Sequence, residues 1–427
     1  MKQNSKIKVL WFSNTPANGV LGLGLNNLGS GTWLRTLDLA LQQKVDLHIA
    51  FYHTKDIHFQ VEDTKYYAIK RYNNIFDKLK YKFLERFFDY VIDNDDYQKY
   101  IELVNEIKPD IIHIQGTENS FGCIIGQTKY PVVVSIQGLT TAVSRFYSVG
   151  LGEKYLSTRS LSFSKLKDLI FPTNFNNAKQ KFIKMSTIEK KNLFNCKHII
   201  GRTEWDKKHT RILAPSSTYY HNDEIMRSEF YNVQWVSNES DQNNIIIHST
   251  SDNVYYKGLE TICDTIILLN NLGFNCICNI AGLDENDLIV KIIKKRMKFN
   301  FPLNSINFLG KIDTNTLINQ MLQADCFIMS SNIENSSNSL CEAMLLGMPC
   351  IATNAGGTFS ILENRIDGIL VQPGDSYSIA ASILELYHDK KLSVIFGKNA
   401  REKALNRHKH DTIVNDLLNI YGTIIKN

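Results

Sequence analysis

Short apolar runs alternate with longer stretches of mixed apolar and charged residues along most of this chain. Strands covered on both faces read as continuous apolar runs, and the helices joining parallel strands read as apolar positions three and four apart. The alternation therefore restricts the fold to the α/β class with parallel sheets. One set of strands is expected at Val9-Leu-Trp-Phe12, Asp46-Leu-His-Ile-Ala-Phe51, Ile111-Ile-His-Ile114, Val132-Val-Val-Ser-Ile136 and His198-Ile-Ile200. A second set begins at Asn244-Ile-Ile-Ile-His248 and continues through Cys276 to Ala281, Ile306 to Leu309, Cys326 to Met329, Cys350 to Thr353 and Gly368 to Val371. At 427 residues the chain exceeds what one hydrophobic core usually supports, so two domains of roughly 200 residues are expected. The polar stretch from Val236 to Asn243 has the composition of a linker. The expected division is a first domain at 1–235, the linker at 236–243, a second domain at 244–408, and a C-terminal helix at 409–427 that packs back on the first domain.

Composition removes several classes. A net charge of +5, from 48 basic and 43 acidic residues, is too small an excess for a dedicated nucleic-acid binder. Val9 to Phe12 is too short for a signal sequence, and no run approaches a membrane span, so a cytoplasmic protein is expected. The eight cysteines are scattered, and the closest pair, Cys276 and Cys278, is too tight for the usual zinc or redox spacing. They read as reduced core residues.

The most specific local pattern is Glu334-Asn-Ser-Ser-Asn-Ser-Leu-Cys-Glu342-Ala-Met. Cys326 to Met329 predicts a buried strand, the loop after it carries Glu334, and Asn338 and Ser339 open a helix that ends at Gly347 before Pro349. Such a β-loop-α-β unit aims its loop and helix N-terminus at the carboxyl edge of a parallel sheet, where open α/β folds bind ligands. Backbone amides exposed there suit a diphosphate. Glu342, in the first helical turn, would accept hydrogen bonds from ribose hydroxyls, and Glu334 would reach a sugar. The competing explanation is that Ser339-Leu-Cys-Glu342 is a capping box serving only the helix.

The eight-residue glutamate spacing is followed by Gly347-Met-Pro-Cys-Ile-Ala-Thr353, by Gly356-Gly357 and by Gln372-Pro-Gly-Asp375, and preceded by Lys257-Gly258. Together these resemble the GT-B glycosyltransferases, specifically the retaining glycosyltransferase family 4 and its bacterial polysaccharide-type subgroup. The resemblance implies two Rossmann-like doubly wound domains facing an interdomain cleft. It implies that Glu334 contacts the transferred sugar, Glu342 binds the ribose, and the amides of Asn338, Ser339 and Leu340 hold the diphosphate. Lys257 would neutralise the leaving diphosphate, with no metal or other cofactor beyond the nucleoside-diphosphate sugar as co-substrate. Family members usually carry an arginine about five residues before that lysine, but Ser249-Thr-Ser-Asp-Asn253 holds no cation, and Ser360 stands where many members have a glutamate.

In the first half, Gly29-Ser-Gly31-Thr32 is similar to the family's small-residue loop, which places Gly31 and Thr32 near the donor. Gln115, Glu118 and Gln137 fall in segments resembling strand ends that line the family's cleft. Glutamine cannot titrate, so a histidine-assisted mechanism is not expected there. Arg202, in Gly201-Arg-Thr-Glu204-Trp-Asp206, is the expected interdomain cation for the donor, with Glu204 beside it; a surface ion pair between the two is the alternative.

The function implied is transfer of a sugar from a nucleoside diphosphate to a hydroxyl of a saccharide or lipid-linked acceptor, in bacterial surface polysaccharide assembly. A GT-B nucleotide-sugar epimerase and a non-catalytic sugar-nucleotide-binding protein are the alternatives. Between Lys65 and Phe88 the residues Ile75, Leu79, Phe83 and Phe87 recur every four positions among lysines and arginine, predicting a basic amphipathic helix. With the basic region Lys165 to Lys191, it either covers the first domain or meets the inner face of the plasma membrane.

Overall fold

A computed structural model describes residues 6–24, 31–70, 76, 94–147, 149, 175–237 and 243–426. The chain divides into two compact units. The first comprises Met1–Ala142, Lys181–Ile225 and His408–Asn427, and the second Val143–Gln180 and Met226–Arg407.

The first unit contains an eight-stranded sheet built from β1 (Lys8–Ser13), β2 (Asp46–His53), β3 (Ile57–Val61), β4 (Thr64–Lys70), β5 (Ile111–Gln115), β6 (Val132–Ser135), β7 (His198–Gly201) and β8 (Thr218–His221). Its order is β3-β4-β2-β1-β5-β6-β7-β8, parallel throughout except for β3 against β4. The second unit holds a six-stranded parallel sheet of β9 (Asn244–Thr250), β10 (Asn275–Ala281), β11 (Ile306–Gly310), β12 (Cys326–Met329), β13 (Cys350–Thr353) and β14 (Ile369–Val371), in the order β11-β10-β9-β12-β13-β14. These are two Rossmann-like α/β units. In each sheet the winding reverses once near the middle, between β1 and β5 and between β9 and β12. At such a reversal the loops leaving the two adjacent strands diverge, which opens a crevice at the carboxyl edge.

Each core follows from the apolar runs. Val9, Trp11, Leu47, Ile49, Ile111 and Val133 pack in one cluster, and Phe327, Met329, Leu340, Met344, Cys350 and Ala352 in the other. All eight cysteines are free and seven are buried. The helix His410–Lys426 belongs to the first unit: Ile413, Val414, Leu417, Ile420, Tyr421 and Ile424 recur at helical spacing and are all buried there. Burial of each such side chain contributes about 1.5–3 kcal/mol relative to exposure. Tyr421 also accepts from the Trp11 indole at 3.0 Å and lies 2.6 Å from His113 Nδ1.

The structure departs from the expected boundaries in two places. Residues 226–235 join the second unit because Met226, Phe230 and Trp235 are buried in its core, where the Trp235 indole donates to Ala324 O at 2.8 Å. The described residues from 143 to 149 also join it: Tyr147 stacks edge-on to Tyr256, and Val149 O accepts from Asn332 Nδ2 at 3.2 Å.

The hairpin of β3 and β4 was not expected. Within the predicted basic helix, residues 65–70 instead form β4, because Tyr66 and Ala68 alternate with Lys65 and Tyr67 and only a period of two buries one set. From 71 to 88 only Phe76 is described, and 165–174 also lie outside the described residues. Lys181 to Lys191 lie on the helix Phe175–Phe194, whose Glu189 and Leu193 are buried. Among the described residues, no helix is long and apolar enough to cross a membrane.

Candidate active site

Lys257 and Glu334 lie 77 residues apart in sequence and meet at the reversal of the second sheet. The loop after β9 closes in a short 3-10 turn, Tyr255–Lys257, and Gly258 then opens the helix Leu259–Asn271. The loop after β12 runs beside it and carries Glu334. Because β9 and β12 are parallel neighbours, both loops leave the same sheet edge. The Lys257 ammonium donates to Glu334 Oε1, which also accepts from Ser331 Oγ at 2.9 Å. Burial alone would depress the Lys257 pKa, but the charge of Glu334 outweighs it and the lysine is held above its ordinary value. The ammonium stays charged, with 22% of its side chain open to solvent.

Two glycines let these loops come together. Gly258 has φ 72°, and a Cβ there would sit 2.1 Å from Ser330 O. At Gly356, φ is 58° and a Cβ would sit 1.9 Å from Glu334 O, an oxygen that accepts from the Gly357 amide at 2.9 Å. Only glycine satisfies both the conformation and the contact.

The helix after this loop is Asn338–Leu346. Asn338, Ser339 and Leu340 form its first turn, as the sequence predicts, and its N-cap Ser337 makes no side-chain cap. No capping box forms. Gly347 ends the helix at φ 77°. Glu342 is the fifth helical residue, two positions deeper than a cap at Ser339 would put it, and its side chain is 8% exposed. A carboxylate at that depth, on a helix whose other residues from Leu340 to Leu346 are all buried, requires a counter-charge. Arg227 provides it through a fork: Nε donates to Oε1 at 2.7 Å and Nη2 to Oε2 at 2.6 Å. Sequence reasoning missed Arg227. It sits just before a short 3-10 turn, Ser228–Tyr231, in a segment without periodicity, and only the buried position of Glu342 signals that some cation must approach.

The first unit arranges its expected residues differently. Asn14 follows β1 and Glu118 follows β5, so they straddle that sheet's reversal, and Asn14 Nδ2 donates to Glu118 at 2.9 Å. Burial pushes the Glu118 carboxyl up to about 7, while its hydrogen bonds and Arg202 pull the other way. Gln115 is buried and lies 3.2 Å from His113 Nδ1 through its amide nitrogen. His113 bridges Tyr421 and Ser135 in the core, and burial holds its pKa down at about 3. Gly31 is the left-handed N-cap, φ 88°, of the helix Thr32–Leu41, which Thr32 opens.

Arg202 lies in the first unit. Its guanidinium is buried and pairs with Glu224 at 2.5 Å, and it donates to Gln137 O at 2.8 Å. Glu204 is exposed and pairs with Lys207 at 3.0 Å. The strand β7 turns Arg202 inward, and Thr203, capping the helix Glu204–Leu213, turns Glu204 to solvent.

A carboxyl whose folded pKa lies above its ordinary 4.5 binds more protons folded than unfolded, so it loses stability as pH rises. Ionisation of Glu118 is therefore expected to weaken folding between pH 4.5 and about 7. Glu118→Gln should remove that part of the slope in urea unfolding across the window; an unchanged slope would show that Glu118 is not the group responsible.

The two parallel-sheet Rossmann-like units, with Lys257 and Glu334 paired at the reversal of the second sheet, share their fold with the solved structures described below. Residues 233–403, nearly the whole continuous part of the second unit, match the family of glycosyl transferases group 1. The chain is 25% identical over 183 residues to the capsular polysaccharide biosynthesis glycosyltransferase CapM of Staphylococcus aureus, covering 43% of this chain and 47% of that one. It is 27% identical over 113 residues to the UDP-Gal:alpha-D-GlcNAc-diphosphoundecaprenol alpha-1,3-galactosyltransferase of Escherichia coli, covering 26% and 29%. The matched stretches thus span less than half of either relative. Among solved structures, sucrose-phosphate synthase from Thermosynechococcus elongatus superposes with a TM-score of 0.69 at 16% identity, covering 98% of this chain and 99% of that one. HepE of Anabaena, in complex with UDP and glucose, superposes with a TM-score of 0.63 at 14% identity, covering 97% and 98%.

Proposed function

We propose that the chain is a retaining glycosyltransferase of family 4. It would move a sugar from a nucleoside diphosphate to a hydroxyl of a saccharide or lipid-linked acceptor in bacterial surface polysaccharide biosynthesis. The observation that carries this reading is the Lys257–Glu334 pair at the reversal of the second sheet, followed in the chain by the uncapped first turn of the helix Asn338–Leu346. Charge builds on the β-phosphate as the donor's glycosidic bond breaks. A fixed ammonium and oriented peptide N–H groups are the preorganised positive charge that stabilises it. Lys257 and the amides of Asn338, Ser339 and Leu340 take that role without a metal ion. Glu334 orients the transferred sugar, and Glu342 accepts from the ribose.

Retention proceeds by front-side attack, the leaving phosphate helping to deprotonate the acceptor. Glu334 is not a nucleophile in this scheme, being tied to Lys257 and Ser331. The family match and the two named relatives support the reaction class, and the relative acting on a diphosphoundecaprenol-linked sugar supports a lipid-linked acceptor with peripheral contact at the inner face of the plasma membrane.

A ligand that binds only the folded state raises apparent stability, by about 2.7 kcal/mol at a hundredfold excess over Kd. A thermal-shift screen with UDP, GDP and their sugars is expected to give a clear rise for one base and not the other. No shift with any of them would overturn the donor site.

A further inference from the structure

The guanidinium of Arg227 is held more firmly than charge neutralisation requires. Besides the fork to Glu342, its Nη1 donates to Thr314 Oγ1 at 3.1 Å, and its Cζ lies 4.7 Å from the ring centre of the buried Phe230. Hydrogen bonds at one edge and the Phe230 ring against one face leave the group a single orientation. A glutamate's terminal torsion is otherwise broad, so a carboxylate without this fork would swing. The fork occupies one lone-pair position on each carboxylate oxygen and leaves a second on each. Both side chains retain some exposure, 8% for Glu342 and 17% for Arg227, so the paired group still reaches solvent.

We infer that Arg227 is a positioning residue for the nucleoside end of the donor. It fixes the plane of the Glu342 carboxylate, and with it the direction of the lone pairs the fork leaves free, so that one of them accepts the 2′-hydroxyl of a ribose. The fork takes the two convergent lone pairs, and those left point away from each other, so each has room for one hydroxyl donor. The inference rests on the donor-site reading above and adds to it a residue that selects ribose over deoxyribose. It also supplies a reason for an arginine rather than a lysine, since an ammonium is a point charge and cannot fix a plane.

A purely structural role would have Arg227 neutralise a buried charge and nothing more. Both roles lower stability in Arg227→Met, but only positioning changes which sugar is accepted. The test is calorimetric binding of two probe pairs, UDP with 2′-deoxy-UDP and GDP with 2′-deoxy-GDP, read on whichever base binds. Wild type is expected to prefer the ribonucleotide by about ten- to a hundredfold, the value of a hydrogen bond to a charged acceptor. Glu342→Gln and Arg227→Met should both bring the ratio close to one, and Arg227→Lys should reduce it while preserving the charge. If Glu342→Gln loses the preference and folded Arg227→Met keeps it, the inference is overturned and the donor site stands. If Glu342→Gln also keeps the preference, or wild type binds neither base, the donor-site reading itself fails. Should Arg227→Met not fold, Arg227→Lys decides: an unchanged ratio overturns the inference.

Discussion

Replacing Lys257 with alanine is expected to lower kcat for sugar transfer by about two to three orders of magnitude, the usual consequence of removing one preorganised electrostatic contact to a developing charge. The substitution removes the ammonium and also leaves Glu334 without its partner, so an unpaired carboxylate would then face the incoming diphosphate. Glu334→Ala should reduce transfer comparably while leaving nucleotide affinity close to wild type, because the ribose is assigned to Glu342 and the diphosphate to Lys257 and the helix amides. Initial rates of donor hydrolysis and of transfer, with KM measured separately, distinguish the two roles. Unchanged rates in both variants would remove the assignment.

The largest stability effect is expected at the buried pair of Arg202 and Glu224. Arg202→Met takes the counter-charge from a carboxylate that is 6% exposed, and breaking a buried pair costs about 3–5 kcal/mol. Urea unfolding should show that loss, while nucleotide binding at low temperature stays at the wild-type level. A variant of normal stability with lost binding would return Arg202 to the donor site that the sequence suggested.

The contrast between these residues shows what a sequence discloses. Lys257 and Glu334 were recognisable because each follows a strand long and apolar enough to read, and the family's spacing fixes where a loop begins. Glu342 was recognisable as a candidate but misplaced by two positions, since Ser339 looks like a cap and the structure starts the helix at Asn338 with Ser337 before it. The burial of Arg202 was not legible because it depends on Glu224, a residue 22 positions later with no local signature. Arg227 was invisible for the same reason, its partner lying 115 residues away. The hairpin of β3 and β4 escaped because its turn is Glu62-Asp63, with Glu62 at φ 50°, where the usual signal is an asparagine or glycine. Local patterns thus reveal elements and their edges; pairs closed by tertiary structure need coordinates.

The helix His410–Lys426 makes the first unit discontinuous in the chain. Its Tyr421 hydroxyl joins Trp11 and His113, so a core that contains β1 is completed by a side chain 410 positions later in the sequence. The second unit lies between the two in the chain and needs no residue of that helix. A variant cut after residue 409 should therefore show a protease-sensitive first unit and a resistant second one.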